Sequence, residues 1–168
     1  VNDYFKAREF MSNLTGEAGD MLVTEDGAWL WTDGRYFLQA ETQLAGTGVE
    51  LMRMAEPGVP TIEEFLTELV KKANDAGRAY VIGFDGRVVP AAFGLELEEM
   101  FGGAEWNVSF STDQDLVDKI WTSRPELKPS EIWDFPVSSA GLDTTDKLAA
   151  VRKEMKEQGA DYLLITDL

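Results

Sequence analysis

The stretch Ala28-Trp-Leu-Trp-Thr-Asp-Gly-Arg-Tyr-Phe-Leu-Gln-Ala40 runs from a strand through a polar turn into a helix. Ala28 to Trp31 is apolar and aromatic, Thr32-Asp33-Gly34-Arg35 is a turn, and from Tyr36 the apolar positions Phe37, Ala40 and Leu44 recur at helical spacing, which predicts a helix to the Gly46 region. Upstream, Met21 to Thr24 and Ala28 to Trp31 flank Glu25-Asp26-Gly27, an Asp-Gly hairpin signal. Downstream, Val49 to Met54 alternates in part and predicts a strand. A hairpin followed by strand, helix and strand implies a mixed sheet in an α/β domain. At the end of its strand, Trp31 to Tyr36 also places two aromatics, an acid and an arginine where polar side chains can face a crevice. The same residues fit a plainer account, with Asp33 as turn former and Arg35 as its ion-pair partner.

Further elements follow in the same alternation. Thr61-Ile-Glu-Glu64 has the form of a capping box, and behind it Ile62, Phe65, Leu66, Leu69 and Val70 make an apolar stripe. Ala79 to Ile82 predicts a buried strand and Gly83-Phe-Asp-Gly86 a turn. Pro90 suits the first position of a helix whose stripe is Phe93, Leu97, Met100 and Phe101. Trp106 to Phe110 predicts a strand, and Leu116 to Trp121 a short helix. Residues 125–136 hold Pro125, Pro129 and Pro136 without periodicity and are expected to be a linker between a domain at 1–124 and the start of a second at 137–168. There, Leu148, Val151 and Met155 predict a helix stopped by Gly159, with a strand at Tyr162 to Ile165. The apolar residues of this helix and strand need burial, and we expect the unit to dock on the first domain's sheet, in the same chain or a neighbour.

Composition narrows the chemistry. The 168 residues contain no His and no Cys, which removes a Ser-His or Cys-His nucleophile pair, a thiolate and a histidine metal ligand. With Lys and Arg at 15 against 31 Asp and Glu, the formal charge of −16 repels a phosphate backbone, so nucleic acid is not an expected partner. No stretch is long and apolar enough for a membrane span, and no signal peptide begins at Val1, so a soluble, cytoplasmic protein is expected. Glu63 with Glu64, and Glu96 with Glu98 and Glu99, lie opposite apolar stripes as solvated surface. Asp113, Asp115 and Asp118 suit a capped helix start, and no P-loop or Gly-x-Gly-x-x-Gly is present.

The string Trp31-Thr-Asp-Gly-Arg-Tyr-Phe-Leu-Gln-Ala40, with Glu41 and Gln43-Leu44, resembles the hallmark of the N-terminal domain of aminopeptidase P, the Xaa-Pro aminopeptidases of the creatinase/prolidase superfamily. The likeness continues through Glu50 to Met54, Glu56-Pro-Gly-Val-Pro-Thr61, Val81-Ile-Gly-Phe-Asp-Gly86, Asp115 to Trp121 with Arg124-Pro125, Ala140-Gly141, and Lys147-Leu148 to Arg152. The family's small-residue loop stands here as Ser12-Asn-Leu-Thr-Gly-Glu-Ala-Gly-Asp20; Gly16 and Gly19 match, while Asn13, Leu14, Glu17 and Asp20 depart and make it more acidic. The usual opening helix and strand of the domain are expected to be missing before Val1.

The resemblance implies a mixed β-sheet flanked by helices, with a ribonuclease H-like motif, followed by the first helix and strand of a second similar domain. It implies a three-domain enzyme whose last, pita-bread domain holds a pair of divalent metal ions, usually manganese, on two Asp, one His and two Glu, and cleaves the bond before proline. The chain lacks that domain, so it is expected to have no catalytic residue, metal ligand or cofactor of its own. Its expected role is to shape the substrate cleft and make subunit contacts in a homo-oligomer, with its own catalytic domain and the peptide as partners. Arg35 is then the candidate to face substrate or partner domain, with Asp33 orienting it and Trp31 and Tyr36 packed beside it. The alternative is a stand-alone acidic α/β binding or dimerisation module without peptidase activity.

Overall fold

The Asp-Gly hairpin forms. In a computed structural model that describes residues 2–166, β1 (Asp20–Val23) runs antiparallel to β2 (Ala28–Thr32), with Met21 opposite Leu30 and Leu22 opposite Trp29. The turn closes through the Thr24 N–H, which donates to the Gly27 carbonyl at 2.8 Å. After the turn at Asp33, α2 (Phe37–Gln43) carries the chain back to β3 (Val49–Arg53), parallel to β2. A parallel pair needs such a crossover, because its two strands start at the same end. Leu14, Leu30, Ala40 and Leu44 form the buried cluster of this half.

A second crossover repeats the pattern. The capping box at Thr61 and Glu64 is made in both directions, the Glu64 carboxylate accepting from Thr61 N–H at 2.9 Å and the Thr61 hydroxyl from Glu64 N–H at 3.2 Å. It opens α3 (Ile62–Asp75), which leads to β4 (Tyr80–Gly83), α4 (Ala91–Phe101) and β5 (Val108–Ser111), with β4 and β5 parallel. Leu66, Val70, Ile82, Leu97 and Phe101 form its core, and Leu22 and Ile62 pack against it. The mixed α/β class is as expected, although the strands form ladders of three and two instead of one sheet.

Several local expectations need correction. Only Ile82 of the supposedly buried strand is buried; Val81 points to the other side and is exposed, because successive side chains of a strand alternate. Pro90 is the residue before the first helical turn of α4, one position earlier than expected. Residues 116–120 form turns instead of a helix, and Trp121 is irregular. Asp115 does cap Val117 and Asp118, but Trp121 stacks on Phe10 at 4.7 Å and Leu116 and Ile120 are left exposed, so tertiary packing ends the winding after one turn. A short 3₁₀ turn (Asp3–Phe5) and α1 (Ala7–Ser12) precede β1, and nothing in the sequence pattern marked them.

The chain divides into units Val1–Leu127 and Lys128–Leu168, with the division inside an irregular stretch at 124–136. Within the second unit, α5 (Val137–Ala140) is followed by α6 (Thr144–Gln158). Asp143 caps α6 by accepting from Asp146 N–H at 2.8 Å, and Gly159 ends it at φ 68°, a left-handed conformation that glycine adopts without steric cost. The strand expected at Tyr162 to Ile165 is absent: these four residues are irregular and exposed, as a strand is without a neighbour to bond. The burial expected for Leu163 to Ile165 is therefore not supplied within the described residues, and Asp167 lies outside them.

Inside the first unit, Arg124 joins distant parts of the chain. Its Nε donates to the Tyr4 carbonyl at 2.8 Å, its Nη1 to Asp115 Oδ2 at 2.5 Å and Asp118 Oδ1 at 3.1 Å, and its guanidinium lies 4.0 Å from the Tyr4 ring centre. Burial pushes the Asp115 carboxyl up, but the Arg124 and Asp118 hydrogen bonds outweigh it and hold the group below the ordinary carboxylate value. With the Arg124 side chain only 7% exposed, removing one partner leaves a buried charge. Arg124→Ala is expected to cost about 3 kcal/mol in urea unfolding, and an unchanged midpoint would show that the pair contributes nothing.

Candidate functional site

The end of β2 is buried on both faces, and the turn after it comes to the surface. Trp31 turns inward: it is 2% exposed, its indole N–H donates to the Pro60 carbonyl at 2.8 Å, and its ring meets Phe65 edge-on at 5.4 Å. There it borders a cleft of about 450 Å³ with Met54, Pro60, Ile62, Phe93 and the carboxylates of Asp20 and Glu63. Trp31 therefore does not pack beside Arg35 as expected; its place is the wall of this cleft. Thr32 is buried too, its hydroxyl donating to the Ala18 carbonyl at 2.8 Å.

The turn itself points outward. Asp33 accepts from the Arg35 N–H at 3.0 Å, from Arg35 Nε at 2.9 Å and from Nη2 at 2.7 Å, so the carboxylate grips both the backbone and the guanidinium of the same residue. Arg35 is 71% exposed, and its guanidinium lies 5.4 Å from the Tyr36 ring centre. The Arg35 hydrogen bonds pull the Asp33 carboxyl from 3.8 down to about 2. Asp33, Arg35 and Tyr36 thus form one surface group.

The glycine loop before β1 is fitted against this group. A Cβ on Gly16 would stand 2.7 Å from the Tyr36 ring, and one on Gly19, which has φ +140°, would stand 2.6 Å from the Trp31 carbonyl oxygen. Gln39 and Gln43 of α2 hold the loop from the helix side, both donating to the Thr15 hydroxyl, at 2.8 and 3.1 Å. Arg8 of α1 holds it from below through the carbonyls of Gly16 and Gly19. Sequence reasoning missed Arg8, because an arginine that bonds carbonyls has no charge partner to mark it.

Among the described residues no group of three or more His, Cys, Asp or Glu could hold a metal ion, and no helix is long and apolar enough to cross a membrane. The chain matches the family Creatinase/Prolidase N-terminal domain over residues 6–119. It belongs to that family. Aminopeptidase P2 of Arabidopsis thaliana is 36% identical over 169 residues, covering 100% of this chain and 23% of that protein. Xaa-Pro aminopeptidase app-1 of Caenorhabditis elegans is 30% identical over 164 residues, covering 98% and 26%. The crystal structure of X-prolyl aminopeptidase from Caenorhabditis elegans, described as a cytosolic enzyme with a di-nuclear active site, superposes with a TM-score of 0.72 at 31% identity, over 96% of this chain and 25% of that one. The chain thus spans about a quarter of the length of these relatives.

In this creatinase-type domain the loop glycines Gly16 and Gly19 have different mechanical reasons. Gly19→Ala meets both a positive φ and a backbone oxygen, and is expected to cost about 2 kcal/mol in thermal or urea unfolding. Gly16→Ala meets only a tyrosine ring and should cost less; the reverse order would refute the loop packing described above. The Asp33 pair gives a pH prediction. A carboxyl whose folded value is depressed stabilises the fold fully above its ordinary 3.8 and loses that contribution as pH falls through about 2. A ¹³C titration should place the Asp33 midpoint near 2, and a midpoint at the ordinary value would mean that the pair does not form in solution.

Proposed function

We propose that this chain is the non-catalytic first part of a metal-dependent Xaa-Pro aminopeptidase, which removes the N-terminal residue from peptides with proline second. The observation that carries this is likeness across the whole chain, at 36% identity to an aminopeptidase P and a TM-score of 0.72 to an X-prolyl aminopeptidase. The domain takes 1–124, a linker 125–136, and the second α/β domain begins at 137. The catalytic domain carries a divalent metal pair, manganese by the family's habit, and the di-nuclear neighbour supports the pair. The protein acts in the cytoplasm, as the cytosolic neighbour suggests, and as a homo-oligomer; neither nucleic acid nor membrane is among its partners.

In this reading the outward group Asp33, Arg35 and Tyr36 lines the substrate cleft or a subunit contact, while the inward Trp31 holds its strand in place. The test is hydrolysis of an Xaa-Pro-Xaa tripeptide by the full-length protein and by the 168-residue chain. Cleavage by the full-length protein, stopped by a chelator and restored by manganese, with none by the chain, is expected. No cleavage by the full-length protein would favour a binding or dimerisation module.

A further inference from the structure

The sequence Asp-Gly-Arg occurs twice, at Asp33-Gly34-Arg35 and Asp85-Gly86-Arg87. Each follows a strand and precedes a crossover helix to a parallel neighbour, β2 to α2 to β3 and β4 to α4 to β5. The two turns are built alike. Asp85 accepts from Arg87 N–H at 3.0 Å, Nε at 2.9 Å and Nη2 at 2.7 Å, the same three bonds at the same three lengths as in the Asp33 turn.

They differ in what lies beyond the guanidinium. Arg87 Nη2 also reaches Asp115 Oδ2 at 3.3 Å, and Asp115 is itself held by Arg124. The second turn therefore has an outer carboxylate, which arrives with its own guanidinium. A guanidinium has five N–H donors, and Asp33 takes only Nε and one on Nη2 of Arg35. Among the described residues the Nη1 edge of Arg35 makes no hydrogen bond, although the Glu17 carboxylate of the glycine loop is near enough to act on its charge.

We propose that the Asp33-Gly34-Arg35 turn is a receptor for one carboxylate supplied from outside this chain, in the position that Asp115 fills at the other turn. The proposal deepens the aminopeptidase reading and rests on its outward-facing Arg35. Because Asp33 already fixes the guanidinium plane, an incoming carboxylate meets a preorganised fork and orders little on binding. Because Asp33 neutralises Arg35 and Glu17 adds a negative charge nearby, the preferred carboxylate is one that brings a cation with it, as Asp115 has Arg124. Two sources share this chemistry: the free C-terminus of a peptide, and an Asp or Glu side chain elsewhere in the full-length protein.

The experiment compares wild type with Arg35→Gln and Arg35→Lys, in the full-length protein and in the 168-residue chain. Hydrolysis is measured on a tripeptide with a free C-terminal acid and on its amide. If the peptide supplies the carboxylate, the acid is preferred by about tenfold in kcat/KM, Arg35→Gln removes the preference, and Arg35→Lys, which keeps charge but not the fork, restores only part of it. If the rest of the protein supplies it, both peptides respond equally and Arg35→Gln lowers Tm more in the full-length protein than in the chain. Equal response to acid and amide together with equal Tm shifts in the two proteins would overturn the proposal. Should the wild-type protein cleave neither peptide, the aminopeptidase reading fails, and the Tm comparison alone decides the carboxylate receptor.

Discussion

The constraint on which the first unit depends is that β2 is shared. It bonds β1 on one edge in antiparallel register and β3 on the other in parallel register, and Leu30, Trp31 and Thr32 are all buried. A strand used on both edges and covered on both faces at its end has no freedom to shift, since a slip by one residue would break both ladders and move each buried side chain into the space of another. The parallel partner then requires a crossover at its end, and the Asp-Gly-Arg turn is where that crossover begins. The position of Arg35 is thus a consequence of sheet pairing, carried to the surface by a turn whose carboxylate fixes both backbone and side chain.

Much of this was legible because the signals were local. Glu25-Asp26-Gly27 marked the hairpin, Thr61 with Glu64 marked the start of α3, and Gly159 marked the end of α6; each acts within a few residues of itself. What failed depended on partners far away in the chain. Residues 116–121 carry helical spacing, yet Trp121 is taken by Phe10 and Asp115 by Arg124. Tyr162 to Ile165 carry strand composition but have no ladder to join, and composition alone cannot form one.

The candidate site divides along the same line. Asp33, Arg35 and Tyr36 are neighbours in sequence and were recognisable as a group. Trp31 stands apart from them because it belongs to the buried end of β2 while the turn that follows is at the surface, a difference of burial that closeness in sequence does not display. Arg8 and the glutamines of α2 act on the glycine loop through carbonyl and hydroxyl groups, and such contacts leave no charge pattern for the sequence to display.

The bond from Arg124 to the Tyr4 carbonyl spans 120 residues and closes the first unit into a ring at one corner. Fraying of the 3₁₀ turn at Asp3–Phe5 therefore also uncovers the guanidinium that holds Asp115 and Asp118.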